Sequence, residues 1–144
     1  MSNQTKYPKS PHEEVGGMKY FARMLDEIRL YAGGELPEDY HANLGKQQAA
    51  DGTCCNFLRV SYDDLRDRVL EGGTDQEILD WCYTNGRRLN PGDLLVWNGF
   101  ASKLGWNDFA SANLKAAKER LGITDRADLN TIADVMDFEE GRRK

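Results

Sequence analysis

The run Thr74–Gly105, TDQEILDWCYTNGRRLNPGDLLVWNGFASKLG, decides the fold class. Thr74-x-x-Glu77 is a capping box, in which each side chain satisfies an orphan backbone N–H of the other. Ile78, Leu79, Trp81 and Cys82 follow at spacings that put them on one buried side. A helix over about 75–84 is predicted, closed by Asn85-Gly86. Asn90-Pro91 then gives an N-cap followed by proline at the first helical position, where its missing N–H costs nothing. The helix it opens runs to about Leu104, with Leu94, Trp97, Ala101 and Leu104 on one stripe, and Gly105 ends it.

The same grammar extends in both directions. Upstream, Ser61 with Asp64 is a capping box with the acid varied. It opens a helix over 62–71, with Tyr62, Leu65 and Val69 inward and Gly72-Gly73 as the stop. This helix and 75–84 form a tight helical hairpin. Downstream, Asn107 or Asp108 caps a helix in which Ala110, Leu114, Ala117 and Leu121 recur, with Gly122 as C-cap. A last helix over about 128–139 places Leu129, Ile132, Ala133 and Met136 on one face.

Towards the N-terminus, Phe21, Met24, Leu25 and Ile28 follow the i, i+3, i+4, i+7 rule. They predict a helix over about 18–32, preceded by Gly16-Gly17 and ended by Gly33-Gly34. Residues 35–60 are less legible. Pro37 opens a helical turn, Tyr40 to Gly45 reads as a short helix, Asp51-Gly52 is a turn signal, and Cys54 to Val60 is either a short helix or an extended piece. No segment alternates with period two. The expectation is an all-α fold: one compact domain over 15–144 of about six short helices, as a bundle or orthogonal array, with an extended N-terminal arm over 1–14.

A chain of 144 residues is one domain's length. Surface scaling gives roughly 7,500 Å² exposed when folded against about 24,000 Å² for the open chain, so a core forms without metal or disulfide staples. Lys plus Arg is 19 and Asp plus Glu is 24. Residues 1–72 carry 9 basic and 12 acidic side chains, and residues 73–144 carry 10 and 12. Neither half is basic, which argues against nucleic-acid binding. No run of 18 apolar residues exists to span a membrane. The polar segment Met1 to Pro11 lacks the apolar stretch of a secretory signal. Three cysteines without a C-x-x-C pair fit a reducing, cytoplasmic setting, not a disulfide framework.

Chemistry-bearing motifs are sparse. His12 and His41 have no histidine partner at i+3 or i+4, and Cys54, Cys55 and Cys82 read as buried small hydrophobes, so neither a metal nor another cofactor is expected. Asp125-Arg-Ala-Asp-Leu-Asn130 fails the calcium-loop pattern and reads as a helix N-terminus, where acids suit the dipole. Nucleophile-elbow, P-loop and dinucleotide signatures are missing from the sequence.

Arg23, Asp26, Glu27 and Arg29 sit on or beside one face of the first helix. They form either an ordinary solvated ion-pair face or a guanidinium pair, oriented by Asp26, for a carboxylate or phosphate. Tyr40-His41 follows a turn and is either a surface pair or an acid–base group. Asn98 beside Trp97 is a mid-helix amide that must find partners, so it pins a neighbouring loop or touches a ligand. Asp134, Asp137, Glu139 and Glu140 crowd the unfavourable end of the last helix. They therefore call for cations: Arg142 and Arg143 beside them, or Arg23 or Arg29 across the fold.

Read whole, the chain resembles a bacterial family catalogued only as a domain of unknown function. The resemblance rests on Ser10-Pro11, Gly16-Gly17, Arg23-Met24-Leu25-Asp26 with Arg29, Gly34 with Leu36, and Tyr40-His41. It continues through Phe57-Leu58, Gly73-Thr74-Asp75 with Glu77, Leu79 and Trp81, and Trp97-Asn98. Asp125-Arg126, Asp128, Asp137 and Glu140-Gly141-Arg142 complete it, over roughly residues 10–142. It implies a fold unit in a bacterial cytosol, with no activity attached.

The functional expectation is a non-enzymatic module that binds a small anionic ligand or a protein partner. Arg23, Asp26, Arg29, Tyr40, His41, Asn98 and Arg142 are its candidate residues. Two other readings stay open. One is a small enzyme using His41 with Asp26 or Asp75 as acid and base. The other is an assembly subunit that forms a homodimer.

Overall fold

Gly16 and Gly17 both take positive φ, +56° and +81°. That is what a two-residue hairpin turn of the primed type demands. The chain reverses there, pairing strand β1 (Glu14–Val15) antiparallel to β2 (Met18–Lys19). The helix expected from residue 18 therefore begins later, as α1 (Phe21–Ala32), after Tyr20 turns the corner at φ +72°. Strands of two residues are too short to show a period, so the sequence reads them as part of an arm and a helix. The computed structural model of the chain describes residues 5–144, so the first four residues of the expected arm lie outside the described residues.

A 3₁₀ helix (Glu38–Asn43) follows, then α2 (Ala50–Leu58), α3 (Tyr62–Leu70), α4 (Asp75–Asn85), α5 (Pro91–Lys103), α6 (Ser111–Leu121) and α7 (Ile132–Glu139). The fold is mostly α, with the hairpin as its only sheet among the described residues. Three of the capping signals hold. Thr74 and Glu77 close a reciprocal box on α4, Asn90 and Asp93 close another on α5, and Ser61 Oγ accepts from the Asp64 N–H on α3.

Three boundaries shift. Asp51-Gly52, read as a turn, lies inside α2, where Asp51 takes its hydrogen bonds from Gly45 and the distant Tyr20. α7 starts at Ile132 instead of 128, because Thr131 Oγ1 accepts from the Asp134 N–H and caps it there; the stretch before it is turns. Asp108 does not cap α6. Its carboxylate closes a loop over the N–H groups of Gly105 and Ala110, one residue before the helix.

The main core gathers Phe21, Met24, Leu25 and Ile28 of α1 with Leu58, Leu65, Val69, Ile78, Leu79 and Trp97. The three cysteines lie in it as free thiols. α1 thus runs through the middle of the molecule. Leu114, Leu129 and Val135 form a smaller cluster between α6 and α7.

Candidate functional site

α1 carries the site's framework. Spacing of i, i+4 puts Arg23 and Glu27 on one side of the helix, and that side faces inward. Arg23 is 2% exposed and Glu27 7%, so the solvated-face reading fails for both. A buried guanidinium needs an anion with its hydrogen bonds met. Glu140, at the end of α7, supplies it. Arg23 Nη1 and Nη2 donate to Glu140 Oε1 and Oε2 at 2.8 and 2.7 Å, a bidentate pair. Burial opposes both charges, but the mutual attraction wins. The Arg23 guanidinium is held above its ordinary pKa and the Glu140 carboxyl below its own.

The other candidates close around this pair. The Tyr40 hydroxyl donates to Glu140 Oε2 at 2.7 Å, and burial with this contact pushes the phenol up. Arg142 bridges Glu140 Oε1 at 2.6 Å and Asp137 Oδ1 at 3.1 Å. Arg23 also donates to the Lys9 carbonyl and Arg142 to the Pro8 carbonyl. Asp26 accepts from the Lys9 N–H at 3.2 Å, and Ser10 Oγ donates to Asp137. Arg29 pairs with Asp75 Oδ1 at 2.6 Å and sits beside Asp26. Four of the candidate residues, Arg23, Asp26, Tyr40 and Arg142, therefore converge with Glu140 on one clasp. It fastens residues 8–10 and the end of α7 onto α1. Arg29 joins at its edge through Asp26 and Asp75.

Behind Arg23 lies a second buried group. Glu27 Oε1 is 3.4 Å from Arg23 Nε. Asp51 accepts from the Tyr20 hydroxyl at 2.6 Å and the Gly45 N–H at 3.0 Å. Asp51 lies near enough to Glu27 for its charge to oppose ionisation of Glu27. Burial first, then the Asp51 charge, raises Glu27, and burial raises Asp51 too. Both effects favour the protonated form of Glu27.

His41 lies apart from the clasp. Its Nε2 is 2.9 Å from the Leu36 carbonyl, which makes Nε2 the protonated nitrogen. Its ring meets Tyr31 edge-on at 4.8 Å. With Tyr31 it borders an open cleft of about 580 Å³, also walled by Gly45, Gln47, Asn56, Tyr62 and Arg66. The Gly45 N–H that binds Asp51 belongs to this wall, so the acid pair backs onto the cleft. A side chain at Gly45 would strike the Tyr62 ring at 2.6 Å, and φ there is +66°. The sequence does not mark Tyr20, Gln47, Asn56 or Arg66, and it reads Asp51 only as part of a turn and Tyr62 only as an inward side chain, none of them as site residues. Glu27 next to a capable cation was the one available signal for the inner group.

Asn98 is not at either place. Its Oδ1 accepts from the Lys19 N–H at 2.9 Å and its Nδ2 donates to the Gly17 carbonyl at 2.7 Å. Trp97 Nε1 donates to the Lys19 carbonyl. The pair pins the hairpin to α5.

Among the described residues, no group of three or more His, Cys, Asp or Glu side chains is arranged to hold a metal ion, and no helix is long and apolar enough to cross a membrane. No curated protein matches the sequence. One family model does, over residues 5–142, and takes in both the clasp and the cleft: the chain belongs to the family described as Domain of unknown function (DUF5069).

Proposed function

We propose that the chain is a non-enzymatic binding module that takes a small anionic ligand in the cleft beside His41. The cleft itself carries this reading. Its volume lies within the roughly 300–1,000 Å³ of small-molecule sites. Its wall supplies polar and aromatic groups, His41, Tyr62, Asn56 and Gln47, and the guanidinium of Arg66. The arginines of the clasp serve differently. Arg23, Arg29 and Arg142 hold carboxylates of their own chain that are largely out of water, so they fix the frame; Arg66 is held only by the exposed Asp63 and Asp67, contacts weak enough for a ligand to displace.

This reading is favoured over acid–base catalysis by the partners of the expected groups. His41 bonds a carbonyl, while Asp26 and Asp75 bind Lys9 and Arg29. The test is a thermal-shift screen of small carboxylates and phosphates, followed by calorimetric titration. A ligand that binds the folded chain raises its melting temperature by mass action. Arg66→Ala and His41→Ala are expected to weaken binding at least tenfold, and Arg29→Ala to leave it unchanged. Binding lost in Arg29→Ala and kept in Arg66→Ala would return the site to the arginine cluster.

A further inference from the structure

The charges on the cleft wall do not make a simple anion trap. With His41 neutral, Arg66 and Asp63 are the charged residues of the lining, one of each sign. They stand three residues apart on α3, a spacing that sets side chains next to each other. Arg66 Nη1 donates to Asp63 Oδ1 at 3.3 Å. That is long for a charge-assisted bond, which runs about 2.7–2.9 Å, and the two side chains are 44% and 78% exposed. The pair is loose, and each partner keeps capacity for a second ion. The surrounding charges are mixed as well. Asp67 accepts the other Arg66 bonds at 3.2 and 3.3 Å. Lys46 and Arg59 adjoin wall residues in sequence without being part of the lining, and the buried Asp51 lies behind Gly45. A bare anion on Arg66 therefore meets the Asp63 carboxylate beside it, and the repulsion offsets part of the attraction.

We infer that the cleft takes a free aromatic amino acid, its carboxylate on Arg66, its α-ammonium on Asp63 and its ring against Tyr31 and His41. This rests on the cleft being the ligand site and names the class of ligand. A zwitterion laid head-to-tail on the Arg66–Asp63 pair matches both charges at once, where an anion matches one and opposes the other. The two charged groups of an α-amino acid hang from one carbon, and the two groups they meet are themselves in contact. The ring selects among amino acids. Tyr31 is 53% exposed and meets the His41 ring edge-on at 4.8 Å, and Tyr62 adds a third ring to the same lining. An aromatic side chain packed on such rings gains more than the area it buries, whereas a methyl group leaves them open to water. The volume of about 580 Å³ is that of a small-molecule site.

The test is calorimetric titration of the full chain with phenylalanine, tyrosine and tryptophan. At least one is expected to bind. Three relatives of the tightest each lack one feature: its des-amino acid lacks the ammonium, its decarboxylated amine lacks the carboxylate, and alanine lacks the ring. Each is expected to bind at least tenfold more weakly. Asp63→Asn is expected to weaken the amino acid at least tenfold and to leave the des-amino acid unchanged or tighter, while Arg66→Ala weakens both. Thermal melts check that each variant folds; both positions are exposed. A des-amino acid that binds as tightly as the amino acid overturns the inference and leaves an anion site at Arg66 standing. So does unchanged amino-acid affinity in Asp63→Asn. Alanine binding as tightly as the aromatic amino acids overturns it too, since the rings are then unused. Failure of all three amino acids to bind overturns it outright. Small carboxylates or phosphates that still bind then keep the broader reading, and their failure ends both.

Discussion

Removing the carboxylate of Glu140 tests the clasp most directly. Glu140→Ala takes away both acceptors of the Arg23 fork, the acceptor of Tyr40 and one anchor of Arg142. The Tyr40 and Arg142 side chains are partly open to water and can be rehydrated. Arg23 cannot, because its side chain is 2% exposed and that of Glu140 is 0%. Only the Lys9 carbonyl and the 3.4 Å contact to Glu27 remain to it. Breaking a buried pair on one side costs about 3–5 kcal/mol. Unfolding entropy of about 2.1 cal/mol/K per residue gives roughly 3 °C per kcal/mol for a chain of this length, hence a fall in melting temperature of roughly 10–15 °C. Urea unfolding at fixed pH supplies the free energy, and calorimetry the temperature. A second variant separates lost attraction from stranded charge. Arg23→Met together with Glu140→Ala leaves no uncompensated charge and is expected to recover part of the loss. A Glu140→Ala protein within about 1 kcal/mol of wild type would refute the reasoning, since a surface pair is worth no more than that.

The inner acid pair gives the opposite pH dependence. Glu27 is raised above its ordinary 4.5 while facing Arg23, Asp51, Tyr20 and Glu140. The folded chain thus holds a proton that the unfolded chain releases, and this contribution to stability is full below pH 4.5 and shrinks as pH rises through the raised value. Glu140 runs the other way: its contribution is full above 4.5 and is lost on acidification. Glu27→Gln removes the titrating carboxyl and is expected to gain stability relative to wild type as pH rises from 5 to 8, in melts across that range; a flat difference contradicts the raised titration of Glu27. Asn98→Ala strands the Gly17 and Lys19 backbone groups, and is expected to cost about 1–3 kcal/mol with faster amide exchange at Lys19. Burial pushes the Cys55 and Cys82 thiols up to about 12 and Cys54 well above its ordinary value. A disulfide reagent at pH 8 is therefore expected to label all three only in denaturant, and fast labelling of the native chain would disprove their burial.

What was legible in the sequence is what a few neighbouring residues decide. Thr74 with Glu77 and Asn90 with Pro91 set helix starts through bonds three residues long, and the structure keeps them. Gly72-Gly73 and Gly122 stop helices because their positive φ suits glycine. Asp51-Gly52 was misleading because its turn signal is overridden from 31 residues away by the Tyr20 hydroxyl. The acids at the end of the last helix did announce a need for cations. The choice between neighbouring and distant arginines could not be made from spacing, and both answer it: Arg142 locally and Arg23 across 117 residues. The cleft left little trace: Tyr62 and Arg66 share a face of α3 at i, i+4, but Gln47 and Asn56 come from other segments and meet them only where the segment after the 3₁₀ helix lies beside α2 and α3.

Charge accounting explains how α1 keeps two ionisable side chains in the core. Arg23 is a permanent cation, and Glu140 answers it as an ionised carboxylate with every acceptor used. Among the described residues Glu27 and Asp51 have no second buried cation, and burial raises both carboxyls. The two ends of the network are therefore different in kind. At the Glu140 end charges are matched, bonds are saturated and residues 8–10 are fastened, which suits a rigid frame. At the Asp51 end a carboxylate is steadied by a phenol and by one N–H of the Gly45 loop, and that loop is a cleft wall. A change at Gly45 thus touches an Asp51 hydrogen bond directly, whereas Arg29 and Asp75 pair with each other away from Asp51. The polar groups that line open space lie at the Asp51 end, which is why the proposed ligand site is placed there and not at the arginine cluster.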